Sequence, residues 1–422
     1  MPDQTSGVKP DRPIGTRDGD LGSTDAGPSI LEYGPADAAG LGHLRRNTNI
    51  ALRFARETLS GNALVIGSWP AGLSARLAPG VDFVKLPSVQ RTAGRTWRPS
   101  SLRIGLRRLL ALRSSIIVTL LETFEPDIFL VDHLPLGYCG ELQPALDLLK
   151  RSSLRTKMVL GLRDILDAPG VIHHAWESNG IYDALERYYD LILIYGDPAV
   201  FDAAAQYGLI RAQGPRVKYC GYVGSDVGPD APDLRASIPN QSAPARAKRI
   251  LITGGGGFDA YPMMSMCIAA IHLMSREYKL DCVLICGPLM DGAERESVEK
   301  KAAGLPIIVI PYVDKPLDYM LTADLVIGMA GYNTIVEAVA LGKKMLVIPR
   351  SGPSAEQSMR ADIFAAKGYL TSWRLEGSSP KLLAEAIWRS LESEGPARGK
   401  PDLNGLATVV AELRTAATGN IS

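Results

Sequence analysis

DLVIGMAGYNTIVEAVALGKKMLVIPRSGPSAEQSMR, Asp324 to Arg360, is the stretch that decides the fold. It opens with the apolar run Leu325-Val326-Ile327, which stops at Gly328 and then Gly331. Ile335, Val336, Val339 and Leu341 follow at the spacing of one helix face. Gly342 ends that helix, a second apolar run from Met345 to Ile348 ends at Pro349, and another helix opens near Ser354. Strand, glycine turn, helix, strand, helix is the unit of a doubly wound parallel sheet, whose ligands lie beyond the carboxyl ends of the strands. Two polar pairs fall at those ends, Asn333 with Glu337 and Glu356 with Gln357. Each sits in the first turn of a helix, where free N–H groups and the positive dipole end favour an anion. That layout suits a nucleotide. Thr334-x-x-Glu337 and Ser354-x-x-Gln357 also read as capping boxes, and spacing alone leaves capping and ligand binding equally open.

Upstream, Arg249 to Ile252 reads as a strand running into Thr253 and Gly254-Gly255-Gly256-Gly257, with a helix from about Tyr261. Four glycines between strand and helix let backbone N–H groups wrap a phosphate. The run matches neither the G-x-G-x-x-G nor the Walker spacing. Val283 to Ile285 and Ile307 to Ile310 are further strands, the latter ending in Pro311-Tyr312-Val313-Asp314. The other half repeats the pattern. Ile30 to Tyr33 is the first strand, followed by a loop ending Gly40-Leu41-Gly42-His43 and a helix with Ile50, Leu52, Phe54 and Leu59 as its buried set. A lone His at a helix start reads as a cap or packing residue. Strands follow at Ala63 to Ile66, Val81 to Leu86, Asp127 to Val131, Met158 to Leu162, Leu191 to Tyr195 and Val217 to Val223. Asp132 and His133 stand where the strand Asp127 to Val131 ends, a plausible acid/base position. Neighbours on an extended strand point to opposite sides, so these two do not form one dyad.

Strands alternating with helices predict an α/β protein with two parallel-sheet domains. Residues 1–28 read as a disordered tail, its Asp18-Gly19-Asp20 a chance match to a metal motif. The N-terminal Rossmann-like domain spans 29–223 and the C-terminal one 248–400. Residues 224–247, rich in Gly and Pro, form a linker, and 401–422 hold a last helix. The 422 residues, 46% of them hydrophobic, suffice for two cores. A net charge of +1, from 46 Lys+Arg against 45 Asp+Glu, gives no field that would recruit nucleic acid. The five cysteines include no CxxC pair; Cys282 and Cys286 read as core residues, which suits a reduced, cytoplasmic setting. No run of 18 apolar residues suggests a spanning helix, and no export signal is read at the N-terminus. His173 and His174 are adjacent and diverge, a poor metal pair. Arg91 to Arg113 is basic, and its Leu102, Leu106, Leu109, Leu110 and Leu112 interleave with arginines, which predicts a basic amphipathic helix. A solvated face is favoured there over contact with an anionic acceptor or membrane surface.

GYNTIVEAVALGKKMLVIPR followed by EQSMRADIFAAKG resembles the C-terminal nucleotide-sugar motif of MurG-like glycosyltransferases of the GT-B fold. GLGHLRR, at 40–46, is similar to a box found in a group of predicted bacterial glycosyltransferases of that kind. The likeness spans about residues 30 to 370. It implies a GT-B fold with an interdomain cleft and a UDP-sugar donor, carrying N-acetylglucosamine or another hexose. It implies that Tyr312 and Val313 take the base, Glu337 the ribose, and Glu356 with Gln357 the sugar. Gly254 to Gly257, Gly331, Asn333 and Thr334 would border the nucleotide, and Gly42, Arg45 and His133 the acceptor. His43 becomes the first candidate for the base that takes a proton from an unidentified hydroxyl acceptor, and Asp132 the second. Displacement would proceed with inversion, and helix N-termini would stabilise the leaving diphosphate with neither metal nor cofactor. The final helix would cross back to the first domain. Two rival readings are a UDP-sugar hydrolase of related fold and a non-catalytic nucleotide-sugar binder.

Overall fold

The computed structural model describes residues 27–34, 41–68, 78–91, 97–211, 213–225, 247–352, 354–395 and 399–419. Most of the tail with Asp18-Gly19-Asp20, the loop through Gly40, Arg95, and most of the 224–247 linker lie outside them.

The strands are β1 (Ser29–Gly34), β2 (Asn62–Gly67), β3 (Val81–Lys85), β4 (Val89–Arg91), β5 (Trp97–Pro99), β6 (Ile128–Asp132), β7 (Lys157–Arg163), β8 (Leu191–Tyr195) and β9 (Arg216–Tyr219). The second half adds β10 (Lys248–Thr253), β11 (Leu280–Ile285), β12 (Ile307–Ile310), β13 (Leu325–Gly328), β14 (Met345–Val347) and β15 (Thr371–Ser372). They form a seven-stranded sheet ordered β3-β2-β1-β6-β7-β8-β9 and a six-stranded sheet ordered β12-β11-β10-β13-β14-β15, with β4 and β5 a separate antiparallel ribbon. Both large sheets are wholly parallel. Helices therefore cover both faces, and the central strands are buried throughout, as the apolar runs of β6, β8 and β11 require. Alternation along β1 sends Leu31 and Tyr33 into one core layer and Ile30 into the other.

Each sheet reverses its strand order once, between β1 and β6 and between β10 and β13. At such a reversal the connecting helices diverge and leave a crevice at the carboxyl ends of the two strands. The helix Leu41–Glu57 starts at the first crevice and the helix Tyr332–Ala340 at the second. The last helix, Gly405–Ala417, packs Leu406, Val409, Val410 and Leu413 into the core that holds Ile50, Phe54 and Leu130. It lies on the first sheet. Gly405 permits this, because a Cβ there would come within 2.4 Å of the Tyr222 backbone.

Several local expectations change. Leu59 lies past the end of its helix and is 91% exposed, so it leaves the buried set. The basic helix starts at Leu106, after Leu102, and Leu102 and Leu112 stay exposed. Its Arg113 is 0% exposed and pairs with Glu141 at 2.5 Å, while the Tyr33 hydroxyl donates to the same carboxylate. A buried arginine needs such a partner to offset desolvation. Neither capping box forms: the two helices begin at Gly331 and Ala355 with no side-chain cap, although Ser354 Oγ accepts from the Glu356 N–H at 3.1 Å.

Candidate active site

The two crevices face one another across a cleft of about 710 Å³. From the first domain it receives Gly42, His43, Arg45, Arg46 and Arg163. The second supplies Gly255, Gly256, Tyr312, Val313, Gly331, Asn333, Thr334, Glu337, Glu356 and Gln357. The walls touch where Asn333 Nδ2 donates to the Gly42 carbonyl at 3.1 Å.

On the first wall, His43 Nδ1 lies 2.6 Å from Asp132 Oδ2. The helix carrying His43 follows β1, and Asp132 ends the neighbouring β6, so the reversal of strand order brings the two side chains together. Arg46, one helical turn after His43, donates through Nη2 to both Asp132 oxygens at 2.8 and 2.9 Å. Its guanidinium lies over the Tyr195 and Tyr332 rings, 5.3 and 5.7 Å from their centroids. Burial works to raise the Asp132 pKa, but the Arg46 charge and then His43 overcome it and hold the carboxyl well below its usual range. Burial lowers the His43 pKa, and the opposing pull of Asp132 does not restore it. His43 is therefore neutral at pH 7. With Nδ1–H turned to a carboxylate, the lone pair is on Nε2, the arrangement of a general base.

This corrects the role assigned to Asp132. It is 1% exposed and shared by His43 and Arg46, so it positions the imidazole and has no free face to take a substrate proton. His133 also stands apart from the cleft. Its φ is +71°, its ring centroid lies 5.2 Å from that of His43, its Nδ1 is buried without a partner among the described residues, and burial pushes its pKa well down. It packs against the His43 ring and is not among the residues that line the cleft.

On the second wall, Glu337 is buried, the sixth residue of its nine-residue helix. Its Oε1 accepts from Arg45 Nη2 at 2.5 Å and from Ser225 Oγ at 2.7 Å. Its Oε2 is buried with no partner among the described residues. A buried carboxylate oxygen beside a cleft, with no donor, is a position prepared for a ligand hydroxyl. Arg45, expected on the acceptor side, thus reaches across the cleft to the second wall and pairs with Glu337. Glu356 Oε1 accepts from Arg163 Nη1 at 2.6 Å, across the domains, and from Arg360 Nη1 at 3.0 Å. Burial raises its pKa, but Arg163 and Arg360 outweigh that and bring it to about 2. Gln357 Oε1 accepts from the Arg350 N–H at 3.2 Å.

The glycine run divides in two. Gly255 and Gly256 border the cleft, whereas Gly254 and Gly257 do not. A Cβ on Gly254 would meet Ala260 Cβ at 2.3 Å, and one on Gly257, at φ +95°, would meet the Cys286 carbonyl at 2.5 Å. These two let the turn close against its own helix and the next strand. Arg46 and Arg163 were not anticipated. The first stands in the box beside His43, and the second ends a strand as Asp132 does. Among the described residues no three His, Cys, Asp or Glu side chains form a metal-ligand cluster. No helix among them is long and apolar enough to cross a membrane.

Residues 249–400 match the model of the glycosyltransferase family 28 C-terminal domain. A UDP-N-acetylglucosamine–N-acetylmuramyl-(pentapeptide) pyrophosphoryl-undecaprenol N-acetylglucosamine transferase of Pelobacter propionicus is 26% identical over 316 residues, 73% of this chain and 77% of that protein. The crystal structure of Acinetobacter baumannii MurG matches with a TM-score of 0.52 at 15% identity, covering 93% of this chain and 95% of that one. A calicheamicin glycosyltransferase matches with a TM-score of 0.56 at 14% identity, covering 93% and 94%. Two parallel-sheet domains enclosing this cleft define the GT-B fold. Within that class the chain is MurG-like, by the family 28 domain of its second half and by its sequence likeness to the Pelobacter enzyme.

Proposed function

We propose that the chain transfers N-acetylglucosamine, or another hexose, from a UDP-sugar to a hydroxyl acceptor with inversion at the anomeric carbon. The observation that carries this reading is the pairing of two walls: a neutral, carboxylate-oriented His43 faces a buried Glu337 whose Oε2 has no partner. Glu337 Oε2 would accept from a ribose hydroxyl, and Tyr312 and Val313 would flank the base. Glu356 and Gln357 would hold the sugar. The name of the Pelobacter relative, which specifies a UDP-N-acetylglucosamine donor, supports the choice of nucleotide and sugar.

In the reaction, His43 Nε2 takes the acceptor proton as the acceptor oxygen bonds to the anomeric carbon. The bond from that carbon to the diphosphate oxygen breaks, and UDP leaves with the electron pair. Asp132 stabilises the imidazolium, and Arg46 keeps Asp132 ionised. The backbone N–H groups of Tyr332, Asn333 and Thr334, in the first turn of their helix, are aimed at the departing charge. We assign that stabilisation to the protein without a metal or cofactor, so turnover should persist in a chelator. Exposed Arg98, Arg103, Arg107 and Arg108, beside Leu102 and Leu112, support weak contact with an anionic surface near the acceptor.

Binding of a nucleotide-sugar panel to the purified chain tests the donor, and NMR of the product anomer tests inversion. UDP is expected to bind and His43→Ala to abolish transfer while leaving binding intact. Failure of every uridine nucleotide to bind would overturn the reading. Sugar release to water alone would make the protein a hydrolase.

A further inference from the structure

Beneath the His43–Asp132 pair lies a carboxyl that the reaction above does not use. Glu32, on β1, is 0% exposed, and neither of its oxygens has a hydrogen-bond partner among the described residues. Strand alternation places it on the same face of the sheet as Asp132, since Ile30 and Ile128, each at an even spacing from them, share one core layer. The charged groups facing it are Asp132 on β6 and Arg46 on the covering helix, with the Tyr195 hydroxyl from β8 beside them. That hydroxyl fills the space of a Cβ on Gly161, the β7 residue paired with Asp132.

This layer is short of hydrogen bonds. Arg46 Nε and the Tyr195 hydroxyl are buried without partners among the described residues, as both Glu32 oxygens are. One such orphan costs about 1–3 kcal/mol, so several around a single charged pair require an explanation. The atoms are beyond direct reach of one another, and an enclosed polar space with two to four partners is where internal water binds.

We propose that Glu32 is a positioning residue of the catalytic centre: as a neutral acid it joins Arg46 Nε and the Tyr195 hydroxyl through bound water, leaving Arg46 Nη2 to the Asp132–His43 pair. The proposal rests on the reading of His43 as the base. An ionised Glu32 would set a second carboxylate on one guanidinium where no solvent screens them, and would draw Arg46 from Asp132. Burial first, and then the Asp132 charge, raise the Glu32 pKa well above the usual carboxylate range, with Arg46 opposing.

The test uses the purified full-length chain and needs neither donor nor acceptor, so its failure is separable from failure of the transferase reading. Infrared spectra at neutral pH should show the C=O stretch of a protonated carboxylic acid that is lost in Glu32→Gln. By NMR, Glu32→Gln should leave the His43 titration within about 0.3 of wild type, because no charge is removed. Glu32→Leu, which removes the acid's hydrogen bonds, should speed exchange of the His43 Nδ1–H about tenfold. Absence of the infrared band overturns the proposal. So does a His43 shift of about 1 or more in Glu32→Gln, or unchanged exchange in a folded Glu32→Leu. Should Glu32→Leu not fold, the infrared band and the Gln variant decide.

Discussion

In the proposed reaction His43 must be neutral to act as the base, and its environment sets the pH range in which that holds. Burial holds its pKa below 6.5, so the acid limb of kcat/KM should lie below that value, with activity lost as pH falls through the His43 pKa. A profile whose limb sits above 6.5 would contradict the burial argument. Asp132→Asn keeps the shape but no longer selects the Nδ1–H tautomer or stabilises the imidazolium; kcat should fall by roughly 10²–10⁴ with little change in nucleotide affinity, as initial rates and titration calorimetry would show. Glu337→Ala should do the reverse, weakening UDP binding by more than about tenfold. That Glu337 and His43 would border a cleft was legible, the first from its place in the decisive stretch and the second from its glycine box. The link from His43 to Asp132 was not, because 88 residues separate them in the chain and only the pairing of β1 with β6 brings them together.

The glycine turn after β10 shows how one element can combine shape and chemistry. Gly255 and Gly257 both hold left-handed backbone, at φ +62° and +95°, but a Cβ on Gly257 meets the Cys286 carbonyl at 2.5 Å, whereas one on Gly255 finds nothing nearer than Thr334 Oγ1 at 4.0 Å. Gly257→Ala should therefore destabilise the second domain by about 1–3 kcal/mol in urea unfolding, more than Gly255→Ala does. Equal costs would mean that the turn relaxes freely. The run of four glycines marked the turn in the sequence. Which of them faced the cleft and which faced protein was hidden, since that depends on Ala260 and Cys286 closing in from two other elements. The capping boxes failed for a related reason: Glu337 is held by Arg45 and Ser225, partners that local spacing cannot reveal.

Across the whole molecule, the domains are joined by buried charge. Arg360 is fully buried and reaches Asp164 at 3.4 Å and the Ile165 carbonyl at 3.1 Å in the first domain, while also holding Glu356. Arg360→Met should cost about 3–5 kcal/mol by removing the buried cation that Asp164 and Glu356 share, and the two domains should then unfold in separate calorimetric transitions. A single unshifted transition would argue against this coupling. Acid should act on the same seam. Glu356 has a folded pKa of about 2 against 4.5 for the ordinary group, so its contribution is full above 4.5 and is lost as pH falls towards 2.

The sequence alone determined that two doubly wound sheets would form, where most of their strands would run, and which helix starts would border the cleft. Those features are local, written in apolar periodicity and in glycines at strand ends. Only the tertiary structure decided that His43 would be oriented by Asp132, that Arg45 would serve Glu337, and that Glu32 would lie beneath the dyad. Each depends on the order in which strands pair and on how the domains meet, so distant residues become neighbours and their charges set one another's protonation.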